Sequence, residues 1–344
     1  MKRAAIAGWA ALVFTSGPSQ AQTPAQDEIA SFYAGKQIRL LIGPNIGTGY
    51  DVTARVLARY IGNHIPGKPT IVPQSMPGAG SMTMTNTLYN QGPFDGTAMG
   101  TSHNGMPAAP MLTPAAARFD SAKIIWLGST NRESQISYAW HTQPIKSIQD
   151  VLTKEFSVGS QAPGSSMNDF PVVLNALFGT KFKVVNGYKG TADIHKAMET
   201  GEVQGVGAAN WTSLLSFNEN WVKEKTVNVF GQYALKSHPD LKHVPLWLDL
   251  AKTDDDKQAM NLLLSRLEAG RPFFLPPGVP EARVTALRRA FDATLKDPAF
   301  REEANRAKLE IDPMTGEELT KLVAQISKTT PAVATRLRDA LTVK

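Results

Sequence analysis

Short hydrophobic runs alternate along this chain with stretches in which apolar residues recur every three or four positions. The first such pair is a strand at 38–42, reading IRLLI, followed by the glycine-rich loop 43–50 and by a helix that opens at Asp51. On that helix Val52 and Val56 share one face. The pattern predicts a strand, a loop and an amphipathic helix, with Asp51 as the N-cap because its carboxylate can accept the N–H bonds of the first turn.

The same unit repeats through the first part of the chain. Strands are predicted at 70–74 and 97–101, and polar or glycine-rich loops follow them at 77–81 and 101–105. Repeated strand–loop–helix units are typical of an α/β fold with a mostly parallel sheet. In such a sheet the loops that follow the strands gather around one crevice, where ligands bind.

A second set of strands and helices follows, with its own Gly/Ser-rich loops at 163–166 and 188–191, and the chain ends in a helix-rich return. This order predicts two lobes, the first built from both ends of the chain. Two connecting segments are then needed, for which 128–137 and 229–235 are the candidates. The predicted divisions are a signal peptide at 1–21, the first part of lobe 1 at 22–133, lobe 2 at 134–228, and the return to lobe 1 with C-terminal helices at 229–344.

The first residues have the pattern of a secretory signal peptide. Lys2 and Arg3 precede an apolar run at 4–14, and Ser19-Gln20-Ala21 is a small-x-small cleavage site. We expect cleavage after Ala21 and a protein of the bacterial periplasm. A retained membrane anchor fits less well, because the apolar run is too short to span a bilayer as a helix.

Composition excludes several kinds of site. The chain has no cysteine, so it has no disulfide, no thiol nucleophile and no cysteine metal ligand. Its formal charge is +6, and removal of Lys2 and Arg3 with the signal leaves 34 bases against 30 acids, or +4. These bases are scattered, which together with export argues against nucleic-acid binding.

No catalytic motif stands out. The chain lacks a nucleophile elbow, a P-loop, a complete dinucleotide-binding glycine pattern and a His-x-x-x-His pair. The acidic run at 254–256 is most simply a helix N-terminus rather than a calcium loop. We therefore expect no enzyme activity, no metal and no cofactor.

What remains is a set of loops rich in Gly, Ser, Thr and Asn ahead of helices, at 43–50, 77–81, 101–105, 163–166 and 188–191. Backbone N–H groups at such positions favour a small anionic or polar ligand in a cleft. The alternative is that the glycines only permit tight turns. The roles of two residues have alternatives in the same way. Asp51 either contacts the ligand or only caps its helix, and His103 faces either the ligand or solvent.

Several of these segments resemble the Bug/TctC family, the periplasmic receptors of tripartite tricarboxylate transporters. VPQSMPGAG at 72–80 is similar to the family's V-x-N-x-P-G-A-G segment, and GYKGT at 187–191 resembles its P-Y-K-G segment. Further matches lie at 36–43, 95–97, 201–203 and 275–280, in family order. The departures are the segment 46–51, which reads IGTGYD where the family has P-G-G-x-x-D, together with Tyr50 and the loop 104–106.

The resemblance implies a type II periplasmic-binding fold, with two α/β lobes joined by a two-segment hinge. It also implies a small organic acid ligand, membrane transporter subunits of a tripartite system as partners, and a monomer. The first-lobe positions implied as ligand-binding are Asn45, Gly47, Thr48, Gly49, Asp51, Gly80, Ser81, Ser102 and His103, and the second-lobe positions are Ser165, Ser166 and Thr191. The alternative function for the same fold is that of a ligand-loaded sensor that docks on a signalling partner.

Overall fold

The computed structural model describes residue 1 and residues 24–161, 165–188 and 190–342, so the predicted signal peptide lies almost entirely outside the described residues. The strands are β1 (Gln37–Ile42), β2 (Thr70–Ser75), β3 (Ala98–Thr101), β4 (Ile125–Ser129), β5 (Gln135–Trp140), β6 (Phe156–Ser160), β7 (Phe182–Asn186), β8 (Gly205–Asn210), β9 (Val227–Tyr233), β10 (Pro272–Leu275) and β11 (Met314–Thr315). The α-helices are α1 (Pro24–Tyr33), α2 (Gly49–His64), α3 (Met82–Gln91), α4 (Ala109–Leu112), α5 (Ile148–Thr153), α6 (Ser166–Phe178), α7 (Thr191–Glu199), α8 (Trp211–Lys223), α9 (Asp254–Ala269), α10 (Glu281–Lys296), α11 (Pro298–Arg306), α12 (Gly316–Ile326) and α13 (Pro331–Thr342).

The strands form two separate sheets, as an α/β fold with two lobes requires. The first has the order β11-β4-β10-β3-β1-β2, with β1 parallel to β2 and β3, and with β10 and β11 antiparallel to their neighbours. Pro73 lies in β2, the edge strand, where its missing N–H costs no ladder bond. The second sheet has the order β7-β6-β8-β5-β9.

The chain passes between the sheets twice. It enters the second sheet through 130–134, between β4 and β5, within the first predicted connection. The second predicted connection, 229–235, is wrong for most of its length, because residues up to Tyr233 belong to β9 and pair with β5. The second sheet thus extends past the predicted division at 228, and the return begins at Ala234.

Strand β5 has no counterpart among the predicted elements, although it occupies an interior place in the second sheet. Its sequence, QISYAW, mixes Gln135 and Ser137 with apolar residues, and both of these polar residues are buried. Ser137 Oγ donates to the Gly207 carbonyl over 2.6 Å. Both polar residues therefore point into the protein, where a hydrogen bond satisfies Ser137 while Gln135 Oε1 has no partner among the described residues, and the simple alternation that marks a half-buried strand is missing.

The hydrophobic core continues from one sheet to the other through the C-terminal helices. One cluster of buried residues includes Trp126 of the first sheet, Phe156 of the second, Leu263 of α9 and Leu337 of α13. Helix α13 contacts α4, α6 and α9, so it packs on both halves of the molecule. In the described part of the chain, no helix combines the length and the apolar character needed to cross a bilayer.

Candidate functional site

The ends of the strands in the two sheets meet around the connection 130–134. In the first sheet, Thr101 at the end of β3 pairs with Ile42 of β1 and with Phe273 of β10. In the second sheet, Gln135 at the start of β5 pairs with Asn210 at the end of β8. Because residues 130–134 join the end of β4 directly to the start of β5, these two sheet edges adjoin.

The first loop is closed by Asp51, although not in the way the sequence predicts. Helix α2 begins at Gly49 and its N-cap is Thr48, whose hydroxyl lies 3.4 Å from the Asp51 nitrogen. Asp51 is 3% exposed; its Oδ2 accepts from the Gly47 N–H over 3.0 Å and its Oδ1 pairs with Arg55 Nε at 2.9 Å. The N-cap assignment of Asp51 is therefore wrong, and its carboxylate holds the loop backbone from inside the helix.

The second loop contains strained backbone. Ala79, Gly80 and Ser81 have φ values of 44°, 61° and 77°, all in the left-handed region. Only glycine adopts this region at little cost, so the conformations of Ala79 and Ser81 are held by their surroundings. Strain of this kind concentrates at ligand clamps and active sites. The buried Ser81 is the residue that this loop presents to the third loop.

The third loop is held by Ser81 and Tyr50. Ser81 Oγ lies 2.8 Å from His103 Nδ1 and accepts from the His103 backbone N–H over 3.1 Å. The Tyr50 ring lies 4.9 Å from the His103 ring, and its hydroxyl accepts from the Asn104 backbone N–H. Burial lowers the pKa of His103, against the smaller opposing effect of the Gly80 carbonyl. Thus three first-lobe loops meet, and two of the departures from the family pattern, Tyr50 and the loop 104–106, are in contact with each other.

Two arginines that the sequence did not single out lie against these loops. Arg271 precedes β10 and donates from Nη1 to Thr53 Oγ1 over 2.9 Å, with its guanidinium 5.6 Å from the centre of the Tyr50 ring. A Cβ built on Gly49 would lie 3.0 Å from Arg271 Nη2, so the absent side chain at 49 makes room for the arginine. Arg266 lies on α9, and its Nε would be 3.8 Å from a Cβ on Gly105.

Buried polar atoms without a hydrogen-bond partner concentrate at this junction. In the described ranges all such side-chain atoms belong to residues at, or next to, the adjoining strand ends. They are Thr101 Oγ1, Thr130 Oγ1, Asn131 Nδ2 and Oδ1, Gln135 Oε1, Ser160 Oγ, Trp211 Nε1 and Arg271 Nε. Folded proteins leave few buried polar groups unpaired, so this concentration makes the junction the candidate site for polar ligand atoms.

Acidic residues face the arginines. The pKa of Glu133 is raised by burial, and Arg271 and Arg266 lower it in part. The pKa of Glu310 is also raised by burial, although it accepts a hydrogen bond from Thr212 Oγ1 over 3.1 Å. An open cavity of about 560 Å³ lies here, lined by Asn210, Thr212, Ser213, Arg271, Asn305, Lys308, Leu309 and Glu310. Asn210 of the second sheet, Arg271 directly before β10 of the first sheet, and residues of the C-terminal return therefore share one polar space.

The second-lobe candidates lie at helix starts. Ser165 is the N-cap of α6 and Ser166 its first residue, while Thr191 is the first residue of α7. All three are partly exposed. The neighbouring residues 163, 164 and 189 lie outside the described residues. From α6, Asp169 reaches the first-lobe side of the junction, since its Oδ2 lies 3.3 Å from Arg266 Nη1.

Structural comparison identifies the fold. The chain is similar to a TctC solute-binding protein from Polaromonas, with a TM-score of 0.70 and 15% identity over 90% of this chain and 98% of that one. This is the Bug/TctC fold. The periplasmic binding protein BugD gives a TM-score of 0.57 at 19% identity, over 90% and 98% of the two chains. MatC from Rhodopseudomonas palustris, solved with bound malate, gives 0.56 at 18%, over 89% and 99%.

No protein-family model and no curated protein matches the chain. The fold nevertheless confirms the resemblance found in the sequence, because it has the bilobal architecture of periplasmic binding proteins.

The residues that hold the junction were missed in the sequence. They are Arg266, Arg271, Glu133 and Glu310. A possible sequence signal was Arg271 directly before the apolar run 272–275, because a charge at a strand end lies where loops converge.

Proposed function

We propose that this chain is an extracytoplasmic solute receptor that binds a small carboxylate-bearing metabolite between its lobes and delivers it to a membrane transporter. The fold supports this, since solved proteins with the same fold are solute-binding proteins. The observation that carries the proposal is the concentration of unpaired buried polar atoms where the two sheets adjoin. The proposal includes export to the periplasm after cleavage at Ala21, membership of the Bug/TctC family and a monomeric protein.

The first-lobe loops supply the means of holding a carboxylate. The N-terminus of α2 directs the positive end of a helix dipole towards the junction, and Thr101 adds a hydroxyl without a partner in the described chain. Ser160 contributes the same group from the second sheet. A ligand that takes hydrogen bonds from both sheets favours the closed arrangement of the lobes, because only that arrangement satisfies both sets.

The test uses the unpaired hydroxyl of Thr101. In Thr101→Val a methyl group of similar size replaces a hydroxyl that has no partner, so the free energy of unfolding should stay the same or rise slightly. Binding should weaken by roughly tenfold if that hydroxyl donates to the ligand. The ligand is first found by a thermal-shift screen of small acids, and isothermal titration calorimetry then gives both affinities.

The matched control is Thr294→Val on α10. This threonine is equally buried, but its hydroxyl donates to the Ala290 carbonyl over 2.6 Å and lies in the helix layer. We expect this variant to lose stability and to keep its affinity. If no acid binds the wild-type protein, the receptor proposal fails. If both threonine variants bind as tightly as wild type, the binding site lies elsewhere than at the strand ends.

A further inference from the structure

Each arginine of the junction abuts one first-lobe loop. Arg271 lies beside Gly49 and under the Tyr50 ring, at the start of the helix that follows the first loop. Arg266 lies beside Gly105 in the third loop. These two guanidinium groups therefore place positive charge next to two of the loops that are proposed to hold the ligand.

Carboxylates of the protein already face both arginines. Arg266 forms an ion pair with Asp169 at 3.3 Å, and the two side chains are only 18% and 8% exposed. Glu133 interacts electrostatically with Arg266 and Arg271, and Glu310 with Arg271. Three carboxylates thus meet two guanidinium groups, so the formal charge of this group of residues is negative when all three are ionised. Because burial raises the pKa of Glu133 and of Glu310, this negative charge decreases as the pH falls.

The other titratable groups around the junction do not reverse this balance. Burial lowers the pKa of His103, which keeps its ring neutral at pH 7, and burial raises the pKa of Tyr50, which keeps its hydroxyl protonated. Asp51 and Arg55 form an ion pair with each other and cancel. Lys308 lines the cavity but is exposed, where water screens its charge.

We propose that the cleft selects a ligand that carries one carboxylate and no second anionic group. This inference rests on the proposed receptor function. One carboxylate can be held by the helix N-terminus and the unpaired donors of the first lobe. A second carboxylate would have to lie near Glu133, Glu310 or Asp169, and like charges at close range disfavour binding. A neutral or cationic far end meets no such penalty.

The test compares ligands that differ only at the far end. Butyrate, 4-aminobutyrate and succinate share a four-carbon chain that ends in methyl, ammonium or carboxylate, and hexanoate, 6-aminohexanoate and adipate repeat the series with six carbons. Calorimetry should show at least one single-carboxylate member of a series binding roughly tenfold or more tightly than its dicarboxylate partner.

A charge variant tests the cause of that preference. Glu133→Gln removes one negative charge from the junction, so the preference for a single carboxylate should shrink by roughly tenfold or reverse. Glu310→Gln gives a second, independent reading if the first variant folds poorly. The control, Glu302→Gln, makes the same change in net charge at a side chain that is 70% exposed, and it should leave the preference unchanged.

The outcomes separate the two proposals. Failure of every acid in a broad thermal-shift panel to bind would contradict the receptor function itself. Tighter binding of the dicarboxylate than of both partners in its series, in the wild-type protein, would overturn the inference about charge while leaving the receptor in place. An equal response of Glu133→Gln and Glu302→Gln would also overturn it, because the preference would then not come from the junction.

Discussion

Asp51 holds the first glycine-rich loop in shape, and its removal is the sharpest test of how that loop is built. Its carboxylate is almost completely buried and makes two charge-assisted contacts, with the Gly47 N–H at 3.0 Å and with Arg55 Nε at 2.9 Å. In Asp51→Ala both contacts are lost and the Gly47 N–H is left without its acceptor.

The magnitude follows from these two contacts. A hydrogen bond to a charged group contributes about 1.5–3 kcal/mol. The pair with Arg55 contributes only about 0.3–0.5 kcal/mol, because the arginine side chain is 40% exposed and the two residues are one helical turn apart. We therefore expect Asp51→Ala to lower the free energy of unfolding by about 2–3 kcal/mol, which exceeds the typical loss of about 1 kcal/mol for an N-cap.

Asp51→Asn separates the two contacts. The amide oxygen can still accept from the Gly47 N–H, while the charge that pairs with Arg55 is gone, so the loss should be about 1 kcal/mol or less. Urea denaturation of the ligand-free protein at pH 7, with linear extrapolation, measures both values.

Equal losses for the two variants, or a loss below about 0.5 kcal/mol for Asp51→Ala, would refute the assignment of Asp51 as the loop's internal acceptor. Ligand titration resolves the remaining question about this residue. If Asp51 only shapes the loop, the asparagine variant keeps nearly all of its affinity. If the carboxylate touches the ligand, affinity falls in the asparagine variant although the fold is retained.

Three further predictions concern the same region. Ser81→Ala and Ser81→Gly both lose the side-chain contacts with His103, but only glycine relieves the strain of the φ of 77°. The free energy of unfolding, measured in urea, should therefore be about 1 kcal/mol higher for the glycine variant than for the alanine variant. Gly270→Ala would place a Cβ 1.8 Å from the Asn131 carbonyl oxygen and should cost more than about 2 kcal/mol, whereas Gly179→Ala, with nothing within 4 Å, should cost about 1 kcal/mol for its left-handed φ alone. Burial lowers the folded-state pKa of His103, so the unfolded state binds the proton first as the pH falls below about 6.5. The free energy of unfolding should therefore drop between pH 7 and pH 5.5, and it should drop less in His103→Asn. An equal drop in both proteins would contradict this prediction.

The fold could be predicted from the sequence because its parts are local. Strands such as β6 and helices such as α10 are marked by apolar periodicity, and Thr315 with Glu318 forms the capping box that begins α12. Strand β5 escaped because it buries polar residues, of which Ser137 is satisfied by Gly207, a partner far away in sequence. A pattern of neighbouring residues carries no information about such partners.

The site was predictable only in part for the same reason. The first-lobe loops were found because glycine, serine and helix starts coincide in short segments, and the structure brings Ser81 and His103 together. Arg266 and Arg271 lie far along the chain from the first-lobe loops, so only the folded chain shows that they lie beside these loops. The predicted N-cap, Asp51, lies three residues after the observed N-cap, Thr48. Thr and Asp are both suitable N-cap residues, and their spacing does not distinguish an N-cap from an acceptor inside the first turn.

The most direct test of the receptor function is native mass spectrometry of the protein as purified, followed by denaturing extraction of whatever is bound. We predict a one-to-one complex with a small molecule that carries a carboxylate, that is released on unfolding and that binds again on refolding. A protein that carries no such molecule, and that shows neither heat nor thermal shift with any acid of a broad panel, would contradict the proposal that this cleft receives a carboxylate solute.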